Sequence, residues 1–160
     1  MTIAYVALGS NLGDSRRYLT EAIDAMERLP QTRVDGRSRI YRTPPWGVVD
    51  QPPFLNAAVR LDTALAPAEL LDALLGIERA AGRVREGERW GPRTLDLDLL
   101  HMDGVRSDDL RLTLPHPRIA ERAFVLLPLN DLAPDLEIPG QGHVAAMLAA
   151  LDPSGCEALP

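Results

Sequence analysis

The chain has 160 residues, 46% of them hydrophobic, which is enough for one substantial core and too little for two, so we expect a single domain over residues 1–160. No run of eighteen apolar residues occurs, the start of the chain lacks the features of a signal peptide, and Cys156 is the only cysteine; we therefore expect no membrane partner, no internal disulfide and a cytoplasmic location. The net charge of −6 argues against a nucleic-acid partner, and the absence of lysine excludes a P-loop lysine and Schiff-base chemistry.

The first hundred residues predict two helices among four extended segments. In chain order the predicted elements are a strand at residues 3–8, a helix from the Asp14 cap to Pro30, an extended segment at 33–42, a proline-rich loop at 43–53, a strand at 54–62, a helix at 67–81 and a strand at 94–102. The turn at residues 9–13 lacks the glycine spacing of a phosphate-binding loop, so we interpret it as a tight connection that supports neighbouring loops.

The order β-α-β-β-α-β is that of the split βαβ, or ferredoxin-like, plan, in which two helices pack on one face of an antiparallel sheet. We therefore expect an α/β fold, an α+β sandwich, with the other sheet face free for ligands. The remaining residues are expected to add a short strand near 111–114 and helices near 117–123 and 141–150.

Two carboxylates stand out on the last predicted strand. Asp96 and Asp98 are two positions apart, which places both side chains on one strand face, about 7 Å apart along the chain. Magnesium prefers one or two carboxylates together with phosphate oxygens and water, and two such ions can clamp a phosphoryl transfer. A half-exposed strand that simply alternates apolar and polar residues would give the same pattern, so the pair alone leaves both interpretations open.

An arginine cluster precedes this strand. Between Arg79 and Arg93 the chain has five arginines and only two glutamates, and Trp90 lies among them. Guanidinium groups bind phosphate oxygens bidentately, a role that lysine has in many kinases, so Arg83, Arg85, Arg89 and Arg93 are candidate triphosphate ligands. A solvated loop is the alternative. The position of the cluster beside the acidic strand favours the phosphate interpretation.

A histidine and two phenylalanines complete the candidates. His116 lies between two prolines that fix its backbone, with Arg122 close in sequence, so we expect a positioned hydrogen-bonding group. Phe54 and Phe124 could stack on a flat heterocycle whose edge Asn56 would bind, because Asn56 shares a strand face with Phe54. From spacing alone both phenylalanines are more typical of a hydrophobic core.

Five segments together resemble the 6-hydroxymethyl-7,8-dihydropterin pyrophosphokinase family across nearly the whole chain. They are ALGSNLGD, YRTPPWG, QPPFLNAAV, GRVREGERWGPRTLDLDLL and LPHPRIAERAFVLLPL. The resemblance implies one catalytic domain that uses ATP and two Mg²⁺ ions. The hydroxymethyl oxygen of the pterin would attack the β-phosphorus of ATP and release AMP. The expected partners are these small molecules, and we expect a monomer.

The resemblance also implies a role for each matching residue. Asp96 and Asp98 would hold both metal ions. The catalytic and triphosphate-binding residues would be Arg83, Arg85, Trp90, Arg93, His116 and Arg122; the adenosine would lie among Glu78, Leu99, Arg111 and Thr113; and the pterin would contact Thr43, Pro44, Trp46, Phe54, Asn56, Trp90 and Phe124. Trp46 and Glu86 depart from the residues expected at their positions.

Two other classes share some of these features. A two-metal nucleotidyl transferase or cyclase also places acidic residues on a strand of a similar fold. An RNA-binding ferredoxin-like domain is the second alternative, although the aromatic RNA-binding strands are absent and the chain is acidic. The proline-rich and arginine-rich loops are candidate lids that close on ATP.

Overall fold

The structure, a computed structural model, describes residues 1–45, 50–82 and 94–160. Its main sheet and the two helices of the predicted plan are β1 (Thr2–Ser10), α1 (Ser15–Glu27), β2 (Thr32–Arg37), β3 (Tyr41–Thr43), β4 (Phe54–Thr63), α2 (Pro67–Ala80) and β5 (Asp96–Met102). The later elements are β6 (Ser107–Asp109), β7 (Leu112–Leu114), a 3₁₀ turn (Ile119–Glu121), α3 (Ala123–Leu132), β8 (Glu137–Ile138), β9 (Gly142–His143), α4 (Val144–Ala149) and β10 (Glu157–Ala158).

The main sheet is antiparallel throughout and has the strand order β10-β3-β4-β1-β5, with β2 also paired to β4. This order confirms the predicted ferredoxin-like α/β fold. The segment predicted as one extended stretch at 33–42 is in fact two strands. β2 pairs with the second half of the long strand β4, and β3 pairs with its first half.

One face of the sheet packs against α1 and α2. Asp14 caps α1, its side chain accepting a hydrogen bond from the Arg17 backbone N–H, and the apolar residues that recur at helical spacing point to the sheet. Leu95, Leu97 and Leu99 are buried in the same core, so the predicted alternation of β5 is confirmed. Asp96 and Asp98 therefore face the opposite side.

The opposite face was predicted to be free for ligands. In the structure α3 and α4 cover much of it. Their core contains Leu126 and Leu129 of α3 and includes Tyr5 and Leu100 from the sheet. The helix predicted at 117–123 is only a 3₁₀ turn, and α3 was not predicted. Its sequence, AFVLLPLNDL, is almost continuously apolar, so it lacks a helical period. It also contains Pro128, a residue that is rare in the interior of a helix. None of the described helices is both long and apolar enough to cross a membrane.

Candidate active site

The site is built on a row of residues that crosses three strands. Gly9 of β1 pairs with Asn56 of β4 on one side and with Asp96 of β5 on the other. Ala7 pairs with Asp98 in the same way. Paired residues in an antiparallel sheet project from the same face, so the sheet brings Asn56 and both aspartates together across a glycine.

Asp96 and Asp98 form the acidic end of this row, and both are half-buried. Among the described residues no three His, Cys, Asp or Glu side chains are grouped as a metal site. Two carboxylates fit magnesium, which takes its other ligands from phosphate and water. The donor set therefore suits ions that arrive with a triphosphate.

Glu78 of α2 binds the backbone of β5 between the two aspartates. Its side chain is only 1% exposed, and its Oε2 accepts a hydrogen bond of 2.7 Å from the backbone N–H of Leu97. A buried carboxylate needs such partners, because an unpaired charge would be costly away from water. The bond fixes the backbone from which Asp96 and Asp98 project. Sequence analysis expected Glu78 near the adenosine and missed this contact.

His116 is held by backbone and side-chain hydrogen bonds. Its N–H donates to the Leu100 carbonyl at 2.8 Å, its carbonyl accepts from Gln141 Nε2 at 2.9 Å, and its Nδ1 accepts from the Arg118 N–H at 3.2 Å. Burial, together with the charges of Arg122 and Arg118, lowers the pKa of His116 to about 4. The ring is therefore neutral at pH 7 with its proton on Nε2, which makes Nε2 a hydrogen-bond donor.

Arg122 is the second group near the acidic pair. Burial lowers the pKa of its guanidinium, while the negative charges of Asp98 and Asp96 oppose that shift. Its Nε is buried and has no hydrogen-bond partner within the described residues, and its guanidinium lies 5.7 Å from the centre of the Phe124 ring. A half-buried cation with an unsatisfied donor beside two carboxylates is suited to an anion that bridges them.

The other end of the row carries a buried polar pair beside an aromatic ring. Thr43 Oγ1 donates a 2.6 Å hydrogen bond to Asn56 Oδ1, and both side chains are buried, as is Phe54. The bond assigns the oxygen of the amide to Thr43 and leaves Nδ2 over Gly9. A Cβ atom at Gly9 would lie 3.0 Å from that Nδ2, so a glycine at this position makes room for the Asn56 amide. Sequence analysis did not single out Gly9, although its position between strand and turn was visible.

The turn after β1 supports the proline-rich loop, as predicted. Asn11 is buried and its Nδ2 donates to Gln51 Oε1 at 2.9 Å and to the Pro52 carbonyl at 3.0 Å. These bonds hold the end of the loop that leads into Phe54. The hydrogen-bond partners of Asn11 could not be read from the sequence, because they lie about forty residues away.

The residues expected around the adenosine lie on or next to α2, β5 and β7, which contact one another. Arg111 is exposed and pairs with Asp72 of α2 at 2.5 Å, Thr113 Oγ1 donates to the Asp109 carbonyl, and Leu99 packs in the core. Their predicted role remains a prediction. Trp46 and the residues of the arginine-rich loop lie outside the described residues, namely Arg83, Arg85, Glu86, Arg89, Trp90 and Arg93.

Comparison with known proteins is consistent with this arrangement. Residues 5–134 match the family described as 7,8-dihydro-6-hydroxymethylpterin-pyrophosphokinase (HPPK). Two proteins named 2-amino-4-hydroxy-6-hydroxymethyldihydropteridine pyrophosphokinase are similar to this chain. The one from Methylorubrum extorquens is 54% identical and the alignment covers 98% of each chain, and the one from Pseudomonas aeruginosa is 53% identical with 98% of this chain and 96% of that protein covered.

Solved structures of Plasmodium falciparum HPPK-DHPS share the fold at low identity. The complex with pterin and p-hydroxybenzoate has a TM-score of 0.74 and 14% identity, and a triple mutant with STZ-DHP has the same two values. The matches cover 98% and 93% of this chain but only 46% and 43% of those longer chains. By its family match and its identity to full-length relatives, this chain belongs to the 7,8-dihydro-6-hydroxymethylpterin-pyrophosphokinase family.

Proposed function

We propose that this chain transfers the pyrophosphoryl group of ATP to 6-hydroxymethyl-7,8-dihydropterin in folate biosynthesis, giving AMP and the pterin diphosphate. The observation that carries the proposal is the row Asn56, Gly9 and Asp96 on one sheet face, which would join a heterocycle site at Asn56 to a metal and phosphate site at Asp96. Family membership favours this reaction over a nucleotidyl transferase, a cyclase or an RNA-binding domain.

Asp96 and Asp98 are the residues that would hold two magnesium ions. Bound magnesium would neutralise the charge of the triphosphate and orient it for transfer. The hydrogen bond from Leu97 to Glu78 keeps the two carboxylates on a fixed backbone. Preorganisation of this kind avoids reorganisation during the reaction.

His116 and Arg122 would bind the triphosphate from the other side. The neutral His116 ring donates through Nε2, and the Arg122 guanidinium supplies a positive charge with an unsatisfied Nε–H. Arg83, Arg85 and Arg93 would add further guanidinium groups, with Trp90 beside them, as the sequence predicts. Since the chain has no lysine, arginine must supply all the positive side-chain charge of this site apart from a protonated histidine.

The pterin would stack between Phe54 of β4, which shares a sheet face with Asn56, and Phe124 of α3, the helix that packs against that face. Asn56 Nδ2, above Gly9, is placed to donate to an acceptor on the edge of the ring, and Thr43 fixes its orientation. Pro44, Trp46 and Trp90 would complete the pocket. A flat, polar-edged ligand suits a site with ring faces on its sides and a few directed hydrogen bonds at its edge.

The reaction would be an in-line displacement. The hydroxymethyl oxygen attacks the β-phosphorus, a new bond forms there, and the bond from that phosphorus to the oxygen it shares with the α-phosphorus breaks, releasing AMP. The hydroxymethyl proton passes to solvent or to a phosphate oxygen. Positioning and charge neutralisation supply the catalysis, and no covalent intermediate with the protein forms.

We also propose a single catalytic domain over residues 1–160 that acts as a monomer in the cytoplasm, where ATP and magnesium are available. The candidate lids, the proline-rich and arginine-rich loops, would close over ATP. Reduced hydrogen exchange in both loops on addition of an ATP analogue with Mg²⁺ is the expected result, and unchanged exchange would remove the lid assignment.

The direct test is replacement of a metal ligand. Asp96→Asn keeps the size of the side chain but removes its charge, so we expect pterin-dependent AMP formation to fall at least about 100-fold with little change in the melting temperature. Asp108→Asn, an exposed aspartate of β6, is the matched control and should retain full activity. Near-normal turnover of Asp96→Asn would refute the metal assignment.

A further inference from the structure

The short strand β3 carries part of the proposed pterin site and forms few backbone pairs with its neighbour β4. It pairs with β4 at only three positions, and Thr43, the last of them, fixes the Asn56 amide. Three residue pairs give little independent stability to a strand at the edge of a sheet. The Tyr41 hydroxyl donates to Asp131 of α3, and beyond that contact the position of Thr43 and of the following Pro44 depends on what binds the other edge of β3.

That other edge is bound by residues 155–159, which we call the edge segment. Within it Glu157 pairs with Arg42 and Ala158 with Tyr41, and the Leu159 N–H donates to the Ile40 carbonyl at 2.8 Å. Arg42 and Glu157 also form an ion pair. The edge segment thus supplies β3 with a second row of backbone hydrogen bonds.

The edge segment also contacts the proline-rich loop at its first turn. Gly155 has a φ of +86°, and a Cβ atom there would lie 3.2 Å from Pro44 Cγ, so the backbone of the segment packs directly against the proline ring. Asn11 holds the far end of the same loop through Gln51 and Pro52. The loop is therefore anchored at both ends, by the turn after β1 and by the edge segment.

We propose that the edge segment is a positioning element for the pterin: by fixing β3 and Pro44 it sets the place of Thr43 and Asn56, while the ATP-binding groups on β5 and around His116 lie on other elements. This assignment rests on the proposed function, since it takes the pocket of Thr43 and Asn56 as the pterin site. It predicts that weakening the edge segment lowers affinity for the pterin and leaves affinity for ATP unchanged.

The sharpest test removes one backbone donor. Leu159→Pro deletes the N–H that binds the Ile40 carbonyl, whereas Leu159→Ala keeps that N–H and removes the same side chain. We expect the Kd and KM for 6-hydroxymethyl-7,8-dihydropterin to rise about tenfold in Leu159→Pro relative to Leu159→Ala, as expected for losing a hydrogen bond and the order it imposes. The KM for ATP should change less than about twofold, and hydrogen exchange of the β3 amides should accelerate.

A charge reversal gives a second, independent readout. Glu157→Arg places two arginines side by side and should weaken pterin binding, and Arg42→Glu together with Glu157→Arg should restore it. Equal pterin affinities in Leu159→Pro and Leu159→Ala would overturn the role of the edge segment, and so would a parallel loss of ATP and pterin affinity. Normal turnover by the wild-type chain would still support the proposed function in either case. Failure of the wild-type chain to bind the pterin would overturn both.

Discussion

At the scale of single residues, His116 shows how the site avoids a titrating group. Its folded pKa, about 4, lies below the ordinary value of 6.5 because burial and two arginines disfavour the charged ring. As the pH falls, the unfolded chain therefore binds the proton first. The stability that depends on this residue is complete above pH 6.5 and is lost as the pH falls from 6.5 towards 4.

His116→Gln should remove this dependence. Between about pH 7 and about pH 4.5 the free energy of unfolding should fall by about 1 to 2 kcal/mol less in the variant than in the wild type. The expected difference is modest because the His116 side chain is partly exposed. Urea unfolding across this range measures the difference. Parallel stability curves for the two proteins would show that the ring is not held neutral.

Glu78 gives a second prediction at this scale. Glu78→Ala leaves the Leu97 N–H without its acceptor inside the protein, which should lower the free energy of unfolding by about 2 kcal/mol and also reduce kcat, because Asp96 and Asp98 lose their fixed backbone. Glu78→Gln keeps an acceptor oxygen and should retain more of both. Chemical unfolding and steady-state kinetics of the two variants test this. An effect on the KM for ATP alone would instead favour the adenosine contact predicted from the sequence.

At the scale of elements, the β8–β9 hairpin positions the loop of His116. Gln141, in the turn between these strands, donates from Nε2 to the His116 carbonyl at 2.9 Å and accepts from the Ala120 N–H at 3.2 Å. Gln141→Leu breaks both bonds, so we expect the KM for ATP to rise about tenfold and the pterin Kd to stay within about twofold. Gln141→Glu keeps the bond from Ala120 and should be intermediate. A change in pterin affinity alone would contradict this role.

The elements that local patterns define were predictable, and those that depend on distant contacts were not. The alternation around Asp96 and the capping residue Asp14 gave β5 and α1 correctly, because strand and helix periods are visible in a few residues. α3 was missed because both its apolar composition and Pro128 hide the helical period. The second partner of β3 and the residues that Asn11 binds could not be predicted, since each contact joins segments far apart in sequence.

At the scale of the whole molecule, the fold brings the proposed phosphate site on β5 and the proposed heterocycle site on β4 together on either side of β1. β1 contributes only Gly9 between them, so no side chain of β1 separates Asn56, whose amide lies over this glycine, from Asp96. Substrate positioning over that short distance is what an in-line displacement requires. The groove of about 560 Å³ between α1 and α2, on the opposite side of the sheet, has no part in this account.

The most direct measurement is a crystal structure with a non-hydrolysable ATP analogue, magnesium and 6-hydroxymethyl-7,8-dihydropterin bound together. We expect two metal ions on Asp96 and Asp98, the pterin between Phe54 and Phe124 with Asn56 Nδ2 at its edge, and the hydroxymethyl oxygen facing the β-phosphorus across Gly9. Density for the pterin in the groove between α1 and α2, or metal ions held by other residues, would contradict this expectation.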